Sequence, residues 1–202
     1  MSERINTKEV VLGREPYICE TGIKGLLLVK RPRFYDARGS FQENYRTQDL
    51  ENALGYRIQI VQSQLSFSKP NVLRGIHAEN QTKVITPITG KILSVVVDLR
   101  KGSETFGQYV MFDIDNDCDD NQLTTLCIAR GLGNSLYVYP DSGLVRYMYS
   151  VTSLYNPKND KMGVWFNDPF FEIPWPIEDN AILSEKDKNL PSLATFMKFV
   201  YG

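Results

Sequence analysis

The chain has 202 residues, of which 42% are hydrophobic and 23% are charged, and its formal net charge is −1. This length fits one domain with a sizeable core, and two independent domains are not expected. Charges of both signs are well mixed, which gives no support for a nucleic-acid or membrane partner.

The N-terminal sequence and the cysteines indicate a cytoplasmic protein. The first twenty residues, MSERINTKEVVLGREPYICE, lack the basic-then-apolar order of a signal peptide, and no apolar run is long enough to cross a bilayer. The three cysteines, Cys19, Cys118 and Cys127, are widely spaced and form no Cys-x-x-Cys pair. We therefore expect free thiols, with neither a disulfide framework nor a zinc site.

Short β-rich segments recur between turn signals, and their Val, Ile, Tyr and Thr content is typical of antiparallel strands. In chain order they are GLLLVK (25–30), YRIQIVQSQLSFS (56–68), KVITPI (83–88), KILSVVVDL (91–99), QYVMFDI (108–114), LTTLCIA (123–129), SLYVYP (135–140) and LVRYMYSV (144–151). Helices are predicted only at RTQDLENALG (46–55), with Gly55 as C-terminal cap, and in the tail. In the tail, Ser184 and Asp187 resemble a capping box before Pro191.

This pattern predicts an all-β sandwich or barrel with a small helical tail. We find no internal repeat and no linker. We expect residues 1–22 to form an N-terminal arm or edge strand, and residues 23–202 to form a single domain. A double-sheet jelly roll of this size has a lumen between its sheets, where small-molecule sites are commonly built.

The stretch NVLRGIHAENQTKVI contains His77, the sole histidine of the chain, between two cationic residues. Strict alternation places Leu73, Gly75 and His77 on one face of the strand and Arg74 and Ile76 on the other. Either a bulge at Gly75 re-aims one of these side chains, or Arg74 and His77 face different surroundings. On its own, a lone histidine in a β protein is more often structural than catalytic.

Four separate motifs resemble the dTDP-4-dehydrorhamnose 3,5-epimerase family. They are YDARGSFQENY (35–45), QSQLSFSKPNVLRGIH (62–77), VVVDLRKGSETFGQY (95–109) and WFNDPFFEIPWP…ILSEKD (165–187). The resemblance runs from about Gly25 to Pro191. It implies a cupin-type double-stranded β-helix jelly roll, homodimeric, with no metal and no cofactor. Its substrate would be a dTDP- or GDP-linked 4-keto-6-deoxy sugar of deoxysugar or surface-polysaccharide biosynthesis. The resemblance implies inversion at C3, or at C3 and C5, through an enolate.

The resemblance also implies roles for individual residues. His77 matches the base, Asp168 its carboxylate partner, Lys83 the cation that stabilises an enolate, and Tyr147 the acid on the opposite face. Tyr149 lies on the same face as Tyr147 by alternation and is a rival for the acid. The choice of Tyr147 rests on its spacing of thirteen from Asn134. The positions implied to bind substrate are Arg38, Phe41, Glu43, Gln62, Gln64, Ser66, Arg74 and Asn134.

The sequence departs from the family pattern around the sugar. Most members have Ala-His-Gly-Phe where this chain reads LGNSLYV, so Asn134 replaces a second histidine. Gln64 replaces a usual asparagine, and the segment from His77 to Lys83 is several residues shorter than in typical members. These changes leave open the nucleotide, the sugar and the number of inverted carbons. They also leave two alternatives to epimerisation, which are a sugar 3,4-ketoisomerase and a catalytically silent sugar-nucleotide-binding cupin.

Overall fold

The structure is a computed structural model that describes residues 8–11, 17–117, 122–156, 162–177 and 181–202, so Cys118 lies outside the described residues. The strands are β1 (Lys8–Val11), β2 (Tyr17–Glu20), β3 (Leu26–Asp36), β4 (Gly39–Gln42), β5 (Gln62–Ser68), β6 (Leu73–His77), β7 (Lys83–Thr89), β8 (Lys91–Asp98), β9 (Tyr109–Asp115), β10 (Gln122–Ile128), β11 (Leu132–Val138), β12 (Val145–Val151) and β13 (Gly163–Val164). The helices are α1 (Thr47–Leu54), α2 (Glu185–Lys188) and α3 (Leu193–Tyr201).

Two antiparallel sheets build the domain and confirm the all-β prediction. The first sheet has the order β1-β2-β3-β10-β7-β12-β5, with β4 paired to β3, and the second has the order β13-β6-β11-β8-β9. Their facing sides meet in one apolar core that includes Leu126 and Tyr147 from the first sheet and Val96 and Leu136 from the second. Burying apolar side chains between the sheets is the main stabilising contribution to such a fold.

Two further cores cover the outer faces of the sheets. Leu193 and Phe196 of α3 pack on the second sheet against Leu73 and Val95. On the first sheet, Leu50 of α1 packs in a cluster with neighbouring strand residues. The C-terminal chain is therefore fastened to the strand that carries His77.

The element predictions hold for most of the chain, and the exceptions have local causes. Residues 56–61 form no strand, whereas β3 continues past Pro32 to Asp36. Beyond Pro32, β3 leaves the sheet and pairs only with β4, which suits a proline that has no N–H to donate. Helix α1 ends on Gly55 with φ of 76°, and α2 begins at its N-cap Ser184, as predicted. Helix α3 was not predicted as a separate element.

Strands β1 and β2 lie at one edge of the first sheet. The division of the chain at residue 22 stays a prediction. None of the helices in the described ranges is both long and apolar enough to span a bilayer.

A bulge in β6 resolves the alternation problem around His77. Against β11, Asn134 is the partner of His77 and Leu136 is the partner of Arg74, so three steps along β6 match two along β11. The extra residue rotates one part of the strand relative to the other. As a result, Arg74 and His77 face the same cavity.

Candidate active site

A cavity of about 350 Å³ opens between the two sheets and gathers most of the predicted site residues. Its lining includes Gln64, Ser66, Arg74, His77, Lys83, Asn134 and Tyr147. A larger cleft of about 890 Å³ lies next to it, beyond Gln81 and Ser153, which line both. None of the predicted site residues lines that larger cleft in the described chain. The chemistry suggested by the sequence is therefore concentrated in the smaller cavity.

His77 is paired with Asp187. The imidazole Nε2 lies 2.6 Å from Asp187 Oδ1, and both side chains are largely buried. A carboxylate at this distance fixes the orientation of the ring and stabilises its protonated form. The second ring nitrogen, Nδ1, is then the one that can take a proton from a substrate.

The Asp187 carboxylate is itself held by two further donors. Ser184 Oγ donates to Asp187 Oδ2 at 2.7 Å, and the amide of Gly75 also donates to this carboxylate. Burial alone would raise the pKa of Asp187, but the hydrogen bonds from His77, Ser184 and Gly75 outweigh burial and hold the pKa below its usual value. Asp187 is therefore an anion directly behind the imidazole.

The prediction that Asp168 is the partner of the imidazole is wrong. Asp168 Oδ1 accepts the amide hydrogen of Phe170 at 3.0 Å, and Oδ2 accepts that of Leu193 at 2.8 Å. Leu193 is the first residue of α3, whose amide has no partner within its own helix. Both oxygens of Asp168 thus accept backbone amide hydrogens. Through the bond to Leu193, Asp168 holds the start of α3 against the second sheet.

Lys83 enters the cavity already paired with a carboxylate that the sequence analysis did not single out. Its Nζ donates to Glu79, and both residues line the cavity. Burial would raise the pKa of Glu79, but the charge and hydrogen bond of Lys83, with smaller contributions from His77 and Lys186, lower it. Lys83 therefore presents an ammonium group beside Glu79, in the cavity that His77 also lines.

Tyr147 faces His77 from the opposite sheet. Its side chain is buried, and its Oη accepts a hydrogen bond from Asn134 Nδ2 at 3.4 Å. Burial raises the pKa of Tyr147 by more than this hydrogen bond lowers it, so the phenol stays protonated at neutral pH. Because its oxygen accepts from Asn134, its own O–H proton is available to the cavity.

Tyr149 also lines the cavity, but its proton is engaged. Tyr149 Oη donates to Gln64 Oε1 at 2.8 Å. This difference favours Tyr147 as the acid. Arg74 lies on the same wall as His77, and its Nε donates to Ser68 Oγ at 3.1 Å, which fixes the guanidinium at the cavity edge.

Four of the residues predicted to bind substrate do not line this cavity in the described chain. Arg38 and Phe41 lie on the exposed β3–β4 hairpin, where Arg38 pairs with Asp36 and the Phe41 side chain is 71% exposed. Glu43 follows the hairpin and binds Arg31 and Arg46. Gln62, the fourth, begins β5 at the far end of the strand from the cavity edge near Ser66. The hairpin continues β3 away from the sheet, which is why Arg38 and Phe41 point out of the jelly roll.

Sequence reasoning missed Asp187 and Glu79 as site residues, although one signal was present. The Ser184 and Asp187 spacing predicts a helix cap, and the cap does form, since the amide of Asp187 donates to Ser184 Oγ at 3.1 Å. The carboxylate of the same aspartate lies next to Gly75 and contacts His77. Glu79 offered no signal beyond its position in the shortened segment before Lys83.

These features together define a class of protein. A jelly roll that holds a carboxylate-paired histidine on one sheet and a protonated tyrosine on the other is a cupin-type protein equipped for acid–base chemistry in its lumen. Among the described residues, no three His, Cys, Asp or Glu side chains are placed to share a metal ion.

Comparisons with known proteins give the family. The model of the dTDP-4-dehydrorhamnose 3,5-epimerase family matches residues 20–195. The dTDP-4-dehydrorhamnose 3,5-epimerase of Pseudomonas aeruginosa is 34% identical over 169 residues, which cover 82% of this chain and 90% of that protein. The chain belongs to the dTDP-4-dehydrorhamnose 3,5-epimerase family, as the sequence motifs predicted.

Solved structures share the fold closely. The dTDP-6-deoxy-D-glucose-3,5-epimerase RmlC from Legionella pneumophila, in complex with dTDP-4-keto-L-rhamnose, superposes with a TM-score of 0.79 at 29% identity, covering 89% of this chain and 94% of that chain. ChmJ, a 3'-monoepimerase from Streptomyces bikiniensis in complex with dTDP-quinovose, superposes with a TM-score of 0.77 at 29% identity, covering 88% of each chain. The fold thus accommodates enzymes named for one inverted carbon and for two.

Proposed function

We propose that this protein epimerises a nucleotide-linked 4-keto-6-deoxy sugar beside its keto group, with His77 as the base and Tyr147 as the acid. His77 takes the proton from the carbon next to the ketone, and the C–H electron pair moves into the carbonyl to give an enolate. Tyr147 then returns a proton to the same carbon from the other face. Solvent resets both side chains, and no cofactor is required because the oxidation state does not change.

One observation carries this proposal. His77 lies on β6 of the second sheet and Tyr147 on β12 of the first, and both line one cavity. Inversion requires proton removal from one face of the sugar and proton return to the other. Two groups on opposite walls of one cavity supply these two steps, whereas two groups on one wall would restore the original configuration.

Charge stabilisation is the second requirement, because a C–H next to a ketone is a far weaker acid than any side chain, and each pKa unit of mismatch costs about 1.4 kcal/mol. Lys83 lines the same cavity as His77, where its ammonium group contacts Glu79. A fixed ammonium next to the developing oxyanion lowers this barrier. Asp187 stabilises the imidazolium that forms at the same moment.

The nucleotide is proposed to be dTDP, the nucleotide in the names of the relatives, with a GDP-linked sugar as the untested alternative. Arg74, Gln64 and Ser66 are proposed to bind the substrate at the cavity edge, since all three line it. We place the reaction in the cytoplasm, because a diphosphate-linked sugar carries charges that are costly to move across a bilayer.

Deuterium exchange tests the proposal. The protein would be incubated in heavy water with dTDP-linked and GDP-linked 4-keto-6-deoxy sugars, and the products would be analysed by mass spectrometry and NMR. We expect deuterium at an inverted carbon. His77→Asn is expected to lose both exchange and inversion. Tyr147→Phe is expected to keep exchange through His77 while losing inversion.

Tyr149→Phe is the matched control, because it removes the same hydroxyl from a neighbouring position of the same strand. Inversion is expected to survive in this variant. A shifted carbonyl in the wild-type product would identify a 3,4-ketoisomerase instead. Binding of the sugar nucleotides without exchange or turnover would identify a silent binding protein.

We also propose a homodimer in which the β3–β4 hairpin meets a second copy. The hairpin exposes Phe34, Tyr35 and Phe41, and the outer side of edge strand β5 exposes Leu65 and Phe67. Exposed apolar groups beside an unpaired strand edge are typical of an interface.

In the proposed dimer, Arg38, Phe41 and Glu43 would approach the cavity of the partner, beside the edge strand that carries Gln62. Sedimentation should give the mass of two chains, and Phe41→Glu should reduce it. Phe199→Glu, on the exposed side of α3, is the matched control. A monomeric wild type would contradict the dimer.

A further inference from the structure

The amide oxygen of Asn134 is buried and has no hydrogen-bond partner among the described residues. The amide nitrogen of the same side chain donates to Tyr147 Oη at 3.4 Å, which fixes the plane of the amide. The backbone of Asn134 is the direct β partner of His77. The unpaired oxygen therefore belongs to a side chain that lies between the proposed base and the proposed acid, in the lining of the cavity.

An unpaired buried acceptor is unfavourable unless water or a ligand provides a donor. A hydroxyl group of the sugar is such a donor. Asn134 lies between the two groups that handle the proton, so the hydroxyl it can reach is one on the carbon that loses its proton. A methyl group at that place would leave the amide oxygen buried and unpaired.

The two carbons beside the ketone of a 4-keto-6-deoxy sugar differ in this respect. The C3 carbon carries a hydroxyl group, whereas C5 carries the C6 methyl group and the ring oxygen. We propose that the amide oxygen of Asn134 accepts the C3 hydroxyl and thereby confines epimerisation to C3. This inference rests on the proposed function and specifies its regiochemistry.

The chemistry of hydrogen-bond selectivity supports a strong preference. A site built to bind a substrate hydroxyl rejects an analogue that lacks it by roughly 10⁴-fold, because the buried protein group is left unpaired. The amide nitrogen of Asn134 also favours C3. It donates to Tyr147 Oη, so the phenol proton of Tyr147 stays available for the carbon that the amide oxygen positions. Asn134 is thus proposed as a specificity-determining residue.

The test is an internal competition between the two carbons of one substrate. Deuterium exchange at C3 and C5 of a dTDP-linked 4-keto-6-deoxyglucose would be followed by NMR in heavy water. We expect exchange at C3 to exceed exchange at C5 by at least about 100-fold in the wild type. Asn134→Leu has similar size and no acceptor, and we expect it to reduce this ratio at least about tenfold.

Asn134→Asp keeps an acceptor at the same place, so we expect it to retain the preference for C3 even if turnover is slower. Asn52→Leu, an exposed asparagine of α1, is the matched control and should leave both exchange rates unchanged. Because the readout is a ratio within one molecule, a general loss of activity does not imitate the expected result.

The outcomes separate this inference from the proposed function. Comparable exchange at C3 and C5 in the wild type would overturn the role of Asn134 while leaving the epimerase intact. An unchanged ratio in Asn134→Leu would do the same. Absence of exchange at both carbons with every substrate would overturn the proposed function itself.

Discussion

Asp168 and Asp187 are both buried aspartates of the C-terminal chain, and each holds a piece of that chain against the second sheet. The two carboxylates differ in what they bind. Asp168 accepts two backbone amides, one of them from α3. Asp187 accepts a serine hydroxyl, a glycine amide and the imidazole of His77.

This difference shows that burial and residue type do not identify the partner of a catalytic base. Both carboxylates accept hydrogen bonds from their neighbours. Only Asp187, which lies next to Gly75, also contacts the imidazole of His77. If Asp187 assists His77 and Asp168 only stabilises the fold, variants around Asp187 should slow deuterium exchange into a dTDP-linked 4-keto-6-deoxy sugar much more than variants of Asp168.

Asp187→Asn should have the largest effect. The amide cannot stabilise an imidazolium as an anion does, so we expect exchange to fall roughly 10²- to 10⁴-fold. Circular dichroism and thermal unfolding should show a folded protein, because the amide fits the same space. Exchange close to the wild-type rate would show that Asp187 does not assist the base.

Gly75→Ala should have the next largest effect, because Gly75 lets Asp187 approach β6. A Cβ at this position would lie 3.2 Å from Asp187 Oδ1 and 3.1 Å from Leu190 Cδ1, which forces a shift of both. We expect exchange to fall roughly 10- to 100-fold, since a small misplacement of a catalytic pair is costly.

The matched control for this variant is Gly143→Ala, where an added Cβ has nothing within 4 Å. Exchange should be unchanged there. Equal rates in the two alanine variants would mean that the position of Asp187 tolerates the crowding. A crystal structure of Gly75→Ala would then be expected to show the His77 contact intact.

Ser184→Ala should have a moderate effect, because it removes one of the donors to Asp187 while leaving His77 and the Gly75 amide. We expect a loss of exchange of up to roughly tenfold, which corresponds to one hydrogen bond. Ser184→Thr should restore the rate, since its hydroxyl can donate in the same way.

Ser192→Ala is the control for Ser184→Ala, because Ser192 is also an N-cap, accepting the amide hydrogen of Thr195 at the start of α3. Both variants lose a helix cap, worth about 1 kcal/mol of stability. Only the variant next to Asp187 should slow exchange. An equal slowing in both would assign the effect to helix stability alone.

Asp168→Asn should have the smallest effect on exchange and a clear effect on stability. The new amide group cannot accept both backbone hydrogens, so one buried amide is left unpaired at a cost of about 1–3 kcal/mol. Chemical denaturation should show this loss, whereas exchange by the folded protein should stay within about twofold of the wild type. A large loss of exchange in a fully folded Asp168→Asn would return this residue to the site.

Much of the site could be predicted from the sequence, because its side chains lie on regular strands or in characteristic motifs. His77 lies on β6, Lys83 begins β7, and Tyr147 lies on β12. The period of two along a strand fixes which residues face the lumen. The β6 bulge is one of the two options that the sequence predicts, because a glycine lies between Arg74 and His77.

The remaining parts depended on contacts between distant segments. Asp187 is 110 positions from His77 in the chain, and both it and Asp168 were compatible with the quoted motifs. Only the packing of the C-terminal chain on the outer side of β6 determined which carboxylate reached the ring. The β3–β4 hairpin is a similar case, because residues of a sequence motif need not face the cavity of their own chain.

By itself, the sequence determined the all-β fold, the family, the helix caps at Gly55 and Ser184, and the strands that carry His77 and Tyr147. These features follow from local periodicity, capping and turn chemistry, which act over a few residues. The tertiary structure decided the partner of His77 and the unpaired oxygen of Asn134. Each of these depends on how closely two separate segments approach. Differences of a few tenths of an ångström in the separation of packed side chains are not encoded in any local sequence pattern.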